Sequence, residues 1–346
     1  MIEFVGLDHG QELDQFVQAH PRGHFMQTSR WGRFKAEWDW RGILCRDGGG
    51  RILGSMAVLL RRVRGTGYRL LYAPRGPIYT PGDGRTLAEL VAAAVQLGRR
   101  AGGYLLRMDP ELLAGDDTAR RQVERLGFEI HSISDFSSFQ PRLIYQIDLR
   151  GHTPASLFSS FQSGTRYNIR LAQRRGVTVE LAGPEQADCF ASLMEHTARR
   201  DGFQPRRQDY FRDLLEAFPD QARMYLALYQ GQVIAGTICL HMGRRTWDLY
   251  SCSGGMEQHK PNELLKWTAI QWAMENGSDC FDLRGVEGYP TEYNPKIGLH
   301  RFKQGFHSEF VEYIGQLDLT LKPVVARCIG QLQHLALSWG QKGERT

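Results

Sequence analysis

The chain has 346 residues, 42% of them hydrophobic, with a formal net charge of +5 and a pI of about 8.9. That is enough apolar material for two packed cores, and it excludes a disordered or low-complexity chain. No apolar run reaches the ~18 residues of a membrane span, and the opening MIEFVGLDHGQELDQF lacks the charged and apolar regions of a signal peptide, so a cytoplasmic protein is expected, with any membrane contact peripheral. In chain order, the pattern predicts helices over Gln11 to Gln18 and around Trp31 to Trp38. From residue 41, RGILCRDGGGRILGSMAVLLRR reads as strand, glycine turn, strand; YRLLYAP follows as a strand, GRTLAELVAAAVQLGRRAG as a helix and YLLRMDP as a strand. In TRYNIRLAQRRGV, residues 165–177, helical spacing sets Arg166, Arg170 and Arg174 on one stripe with Arg175 beside it. The same spacing turns Tyr167 and Leu171 inward, and Gly176 ends the helix before the strand VTVEL. Helical segments over Gln186 to Arg200 and Asp209 to Ala217 lead into RMYLALYQGQVIAGTICLHMGRRTWDLYSCSG, read as three strands with a Gln-Gly turn. The helix NELLKWTAIQWAMENG, the strand CFDLRGV and a last helix after Pro323 complete the chain.

Helix, antiparallel meander, helix, strand therefore occurs twice. The implied fold class is α+β, with two tandem domains, 1–145 plus 318–346 and 146–317. Each is expected to be a twisted, mostly antiparallel sheet flanked by helices, with the C-terminal helix packing back on domain 1. The order is that of GNAT-type acyltransferases. A CoA-using member needs a glycine-rich turn opening a helix, where backbone N–H groups cradle a pyrophosphate. Neither RGPIYTPGDGRT, with Pro74 and Pro77 removing donors, nor GMEQHKPNELL supplies one. A donor other than acyl-CoA, bound by charge and shape, is expected. Cys45, Cys189, Cys239, Cys252, Cys280 and Cys328 lack ligand spacing, so free thiols and no metal site are expected.

The stretches FMQTSRWGRFK, YAPRGPIY, YLLRMDP, TRYNIRLAQRRGV, RDGFQPRRQDYF, YLALYQGQVIAG, FDLRGV and GLHRFKQGF resemble, in this order from residue 25 to 306, the FemXAB family of non-ribosomal peptidyl aminoacyltransferases. No heptad run is long enough for a coiled-coil arm, so the chain is similar to the compact, armless members. The resemblance implies transfer of an amino acid from aminoacyl-tRNA to the side-chain amine of the peptidoglycan stem peptide in cell wall synthesis. The acceptor would be UDP-MurNAc-pentapeptide or lipid II, and no cofactor is implied beyond the aminoacyl-tRNA co-substrate. The alternatives are a CoA-dependent GNAT-type N-acyltransferase and a non-catalytic protein that binds peptidoglycan precursors. A DNA-binding role has poor support, given the moderate net charge and the lack of a reader motif.

The ester of an aminoacyl-tRNA is already activated, so positioning and oxyanion stabilisation can carry the rate without a protein nucleophile. The resemblance implies that Lys35 and Arg206, rather than its neighbour Arg207, clamp the acceptor diphosphate from the two domains, and that Tyr104, Tyr210 and Tyr250 line the acceptor site. Asp109 either accepts the attacking amine's proton or forms a turn before Pro110. Lys303, flanked by Phe302 and Phe306, is implied to stand near the scissile ester, where a fixed ammonium neutralises an oxyanion or the pyrophosphate. Plainer readings stand beside these: a surface lysine for Lys35, core filler for the tyrosines, a lysine snorkelling over a strand for Lys303. Arg166, Arg170, Arg174 and Arg175 suit tRNA phosphates, an anionic lipid surface or simply a solvated face.

Overall fold

A computed structural model describes residues 1–331. They divide into two units, Met1–Ile133 with the described residues from Tyr313 on, and Ser134–Glu312. The first unit begins with β1 (Ile2–Val5), α1 (Gln11–Ala19), α2 (Ser29–Phe34), β2 (Asp39–Arg46), β3 (Ile52–Arg62), β4 (Arg69–Ala73) and β5 (Ile78–Tyr79). It continues with α3 (Gly84–Ala101), β6 (Gly103–Met108), α4 (Asp117–Arg125) and β7 (Glu129–His131). The second unit contains β8 (Leu143–Asp148), α5 (Pro154–Ser160), α6 (Ser163–Arg174), β9 (Thr178–Ala182), α7 (Ala187–Asp201), α8 (Tyr210–Ala217) and β10 (Ala222–Tyr229). After these come β11 (Gln232–Met242), β12 (Arg245–Ser253), α9 (Pro261–Glu275), β13 (Cys280–Gly285), α10 (Ile297–Gln304) and β14 (Glu309–Glu312). The chain then returns to the first unit with β15 (Gln316–Thr320) and a helix over 323–331.

Local chemistry accounts for the main boundaries. Asp47 Oδ1 accepts from the amides of Gly49 and Arg51 at 2.9 and 3.0 Å, and Gly50 adopts a φ of +88°, which closes the β2–β3 turn. Asp83 caps α3 by accepting from the Thr86 amide at 3.0 Å, and Gly102 ends it in the left-handed region. The helix expected to reach Trp38 stops at Phe34, because the Trp38 amide closes a turn on the Lys35 carbonyl at 2.8 Å before β2 begins.

The two sheets repeat one plan. In the first the order is β1-β2-β3-β4-β6-β15-β7, with β5 beside β3, and β4·β6 is its parallel pair. In the second the order is β14-β8-β13-β12-β11-β10-β9, and β12·β13 is the parallel pair. The strand antiparallel to β6 is β15, from the end of the chain, whereas β8, antiparallel to β13, precedes its own repeat. The first core packs Met56, Leu71, Leu90, Leu106 and Val123 together. In the second, α9 is apolar on nearly every side because Leu264, Leu265, Ile270 and Ala273 are all buried with Ile169, Phe281 and Phe306. Truncating the fully buried Phe306 to alanine would cost about 3–5 kcal/mol. The helix over 323–331 packs Val325, Ala326 and Ile329 on Leu70, Tyr104 and Leu105 of the first unit. All six cysteines are free thiols.

Candidate functional site

In the second unit the parallel ladder covers only Arg245↔Cys280, Thr246↔Phe281 and Trp247↔Asp282, although β12 runs on to Ser253 and β13 to Gly285. Past Trp247 the sheet opens. Beyond the opening β13 bulges against β8 between Asp282 and Gly285, with Arg284 at φ +62°. Backbone carbonyls that lose a sheet partner in a buried place need another donor. Lys303 is that donor: its Nζ donates to the Gly285 and Arg284 carbonyls at 2.7 and 3.1 Å. It stands on α10, not over a strand, and is 7% exposed. Burial pulls its ammonium from the ordinary 10.5 down to about 7; Asp248 and Asp282 partly oppose this, while Lys266 and Arg284 add to it. Phe302, one residue earlier on α10, is half-buried and meets Phe306 edge-on at 5.3 Å, which fixes the helix against the core.

The other lip of the opening holds an ion pair that sequence reasoning missed. Lys266 Nζ lies 2.5 Å from Asp248 Oδ2, both side chains buried. Lys266 also donates to Ser251 Oγ at 2.6 Å and Thr237 Oγ1 at 3.0 Å, and Thr237 Oγ1 donates to Asp248 Oδ1 at 2.7 Å. The available signal was Lys266 itself, a charge set among apolar residues in NELLKWTAIQWAMENG. Burying such a charge without a partner is too costly to persist.

Arg206, Tyr210 and Tyr250 come together. Arg206, on the loop after α7, places its guanidinium 5.4 Å over the Tyr210 ring, and Tyr250 Oη donates to Tyr210 Oη at 3.0 Å. Phe211 holds Tyr250 from the side, with ring centroids 5.2 Å apart and the planes at 77°. Arg206 and Tyr250 line a cavity of about 1020 Å³ within this unit, together with Phe136, Phe203, Glu287 and Lys296. Arg207 turns to Asp213 instead.

In the first unit, Lys35 follows the last turn of α2 and sits over the Trp31 and Phe34 rings at 5.1 and 4.8 Å. Tyr104 is buried in the cluster with Leu70, Leu105 and Ile329, against which Trp38 also packs. Burial pushes its phenol up. Asp109 is 3% exposed and both its oxygens are engaged: Tyr72 Oη donates to Oδ2 and the Arg75 amide to Oδ1, each at 2.6 Å. The carboxylate therefore holds the chain after β4, including Arg75 at φ +55°.

The arginine stripe is divided. Arg166 donates to the carbonyls of Ser159 and Phe161, closing the end of α5, and Arg175 donates to the Gln258 carbonyl. Arg170 and Arg174 stay exposed and lie over the Phe158 and Tyr167 rings at 5.3 and 5.7 Å. Tyr167 does not turn inward as the spacing suggested; it is 56% exposed, and Ile169 and Ala172 take the buried face. Arg174 on its outer ring explains that placement.

Some amides of the two loops that would face a pyrophosphate are engaged within the chain. After β12, Gly254 N donates to the Ile234 carbonyl at 2.8 Å, and His259 N and Lys260 N close a short 3-10 turn before Pro261. After β4, Gly76 N donates to the Ala73 carbonyl at 3.3 Å, between Pro74 and Pro77. Among the described residues no group of His, Cys, Asp and Glu is arranged to hold a metal ion, and no helix is long and apolar enough to cross a membrane.

Residues 9–230 match the FemAB family, and residues 159–303 match the acetyltransferase (GNAT) domain. A UDP-N-acetylmuramoylpentapeptide-lysine N(6)-alanyltransferase of Weissella viridescens is 29% identical over 331 residues, covering 91% of this chain and 94% of that protein. A lipid II:glycine glycyltransferase of Staphylococcus saprophyticus is 25% identical over 393 residues, covering 93% and 94%. The crystal structure of FemX superposes with a TM-score of 0.85 at 23% identity, over 94% of this chain and 99% of that one.

Proposed function

The chain belongs to the FemAB family, and on that premise we propose that it moves an amino acid from aminoacyl-tRNA to the side-chain amine of the peptidoglycan stem peptide, building the interpeptide bridge. The observation that carries this reading is an arginine fixed on a tyrosine pair at the wall of a 1020 Å³ cavity, in the unit whose sheet opens at a buried lysine. The acceptor amine attacks the ester carbonyl, the bond to the ribose oxygen breaks, and the proton lost by the amine leaves with that oxygen. Lys303 supplies positive charge for the oxyanion that forms on the way. Phe302 keeps α10 in place. Arg206 holds the acceptor's diphosphate by charge, and Tyr250 and Tyr210 fix the direction of its guanidinium. Tyr104 and Asp109 act through position, Asp109 by setting the loop after β4. Arg170 and Arg174 provide phosphate contacts for the tRNA, with Arg166 and Arg175 shaping the face that presents them.

The GNAT match at 159–303 favours one second reading, a CoA-dependent N-acyltransferase. Against it stand the amides of Gly254, His259 and Lys260, which are already bonded to the Ile234, Met256 and Glu257 carbonyls and are not free to cradle a pyrophosphate. One reaction panel tests both. Charged tRNAs are offered with UDP-MurNAc-pentapeptide or its lipid-linked form, acetyl-CoA is offered in parallel, and products are read by mass spectrometry. Aminoacylated stem peptide is expected; acetylated product alone would overturn the tRNA-dependent reading.

A further inference from the structure

The β3–β4 hairpin carries charge that the transfer reaction does not use. Between Asp47 and Asp83 the chain has no acid and six arginines, four of which, Arg61, Arg62, Arg64 and Arg69, gather at this hairpin's end. Arg62 stands directly opposite Arg69 in the antiparallel register. Like charges in that position destabilise a hairpin, so the fold gives no reason for the pair. Arg69 reaches Asp39 at 3.5 Å, whereas Arg62 and Arg64 make no ion pair among the described residues. Arg61 lies 5.4 Å over the Trp38 ring and Lys322 lies 5.0 Å over the Tyr68 ring. Beneath them Trp38, Val63 and Tyr68 pack in the same cluster as Val325 and Ala326 of the helix over 323–331. That helix adds exposed Arg327 and, at its start, Val324, which is 75% exposed.

We propose that the end of the β3–β4 hairpin and the first turns of the helix over 323–331 form a docking surface for the anionic headgroups of a lipid bilayer. Clustered arginines are attracted to such a surface, and an exposed aliphatic side chain among them gains from the headgroup boundary. A nucleic acid fits less well. RNA-binding faces offer open rings for bases to stack on, and here the Trp38 and Tyr68 rings are already covered by Arg61 and Lys322. Val324 also has nothing to gain from a phosphate backbone. The inference rests on the transferase reading in one respect: it selects the lipid-linked form of the acceptor.

The test is co-sedimentation of the full chain with phosphatidylcholine vesicles, with and without phosphatidylglycerol. Wild type is expected to pellet only with the anionic vesicles, and added salt should release it. The variant Arg61→Gln/Arg62→Gln/Arg64→Gln should bind them about a hundredfold more weakly, at roughly fivefold per arginine. Val324→Asp should weaken binding without changing the basic residues. The triple variant should keep wild-type turnover of the soluble nucleotide acceptor and wild-type tRNA affinity, and lose turnover of the lipid-linked acceptor presented in the same vesicles. Undiminished pelleting of the triple variant would overturn the surface, and so would a loss of tRNA binding in place of vesicle binding. If wild type uses neither acceptor, the transferase reading falls, and the vesicle result alone decides the docking surface.

Discussion

Replacing Lys303 by methionine separates a structural effect from an electrostatic one. Its Nζ serves the carbonyls of Arg284 and Gly285 at 3.1 and 2.7 Å, where β12 no longer pairs with β13, so the variant buries two acceptors without donors. At about 1–3 kcal/mol for each orphaned group, the loss is roughly 2–6 kcal/mol, offset in part by removing a buried cation. The offset depends on pH. Burial holds the folded pKa at about 7 against the ordinary 10.5, so between these values the unfolded chain binds a proton that the folded chain does not. Wild-type stability therefore rises with pH across that window, by up to about 1.4 kcal/mol per unit, and the penalty is fully present below it. Lys303→Met lacks this slope. In urea titrations the gap between wild type and variant should widen from about pH 6 to about pH 9. Activity should move the other way, because the ammonium is the form that steadies an oxyanion. Wild-type kcat/KM should fall as pH rises through about 7, and folded Lys303→Met should be slower by roughly tenfold or more with tRNA and acceptor affinities kept. Wild-type turnover by the folded variant would refute the catalytic role. A gap in stability that stays constant with pH would refute the electrostatic argument.

Arg206→Gln should raise KM for the acceptor about tenfold to a hundredfold with little change in kcat, as expected for a lost charge-assisted bond of about 1.5–3 kcal/mol, while Arg207→Gln, which loses only an exposed pair with Asp213, should leave both constants unchanged. Steady-state kinetics with varied acceptor distinguishes the two. Asp248→Asn leaves Lys266 buried without its anion and should destabilise the protein by about 3–5 kcal/mol in urea unfolding, whereas Asp248→Leu combined with Lys266→Met should cost less than the single change. Arg170→Gln/Arg174→Gln should flatten the salt dependence of tRNA binding by a log–log slope of about 1–2, measured by filter binding at several salt concentrations. An unchanged slope would leave the stripe a solvated face.

The repeat was legible because each copy writes its meander and helix contiguously, with glycine turns and an amphipathic helix that local rules can read. Strands β8 and β15 were not, since each is short and fills the sheet place beside β13 or β6 from a distant part of the sequence. Arg206, Tyr210 and Tyr250 were grouped through the family resemblance, but the fold alone reveals that Arg206 rests on the Tyr210 ring and that Arg207 turns to Asp213. Tyr167 was misread because periodicity assigns a face by spacing and says nothing of a partner such as Arg174 that stabilises an aromatic ring on the outside. The Asp248–Lys266 pair lay beyond reach for a related reason. Its members are 18 residues apart on a strand and a helix, and only the packing of α9 on the sheet joins them.

The same plan ends differently in the two copies. In the first, the parallel ladder continues from Arg69↔Gly103 to Ala73↔Met108, the last residues of β4 and β6. Immediately after it, Asp109 binds the Tyr72 hydroxyl and the Arg75 amide, so the chain seals its own sheet with bonds internal to the backbone loop. In the second copy the ladder stops at Trp247↔Asp282, and the equivalent gap is filled by the ammonium of Lys303, reaching in from α10. A loop amide bound to a carboxylate offers nothing to a reacting group. On the proposed reading, a lysine held at the opening of the sheet has a proton to direct at an oxyanion. On the transferase reading proposed above, the strand pair left unzipped after Trp247↔Asp282 is what suits the second copy of the scaffold to the chemistry.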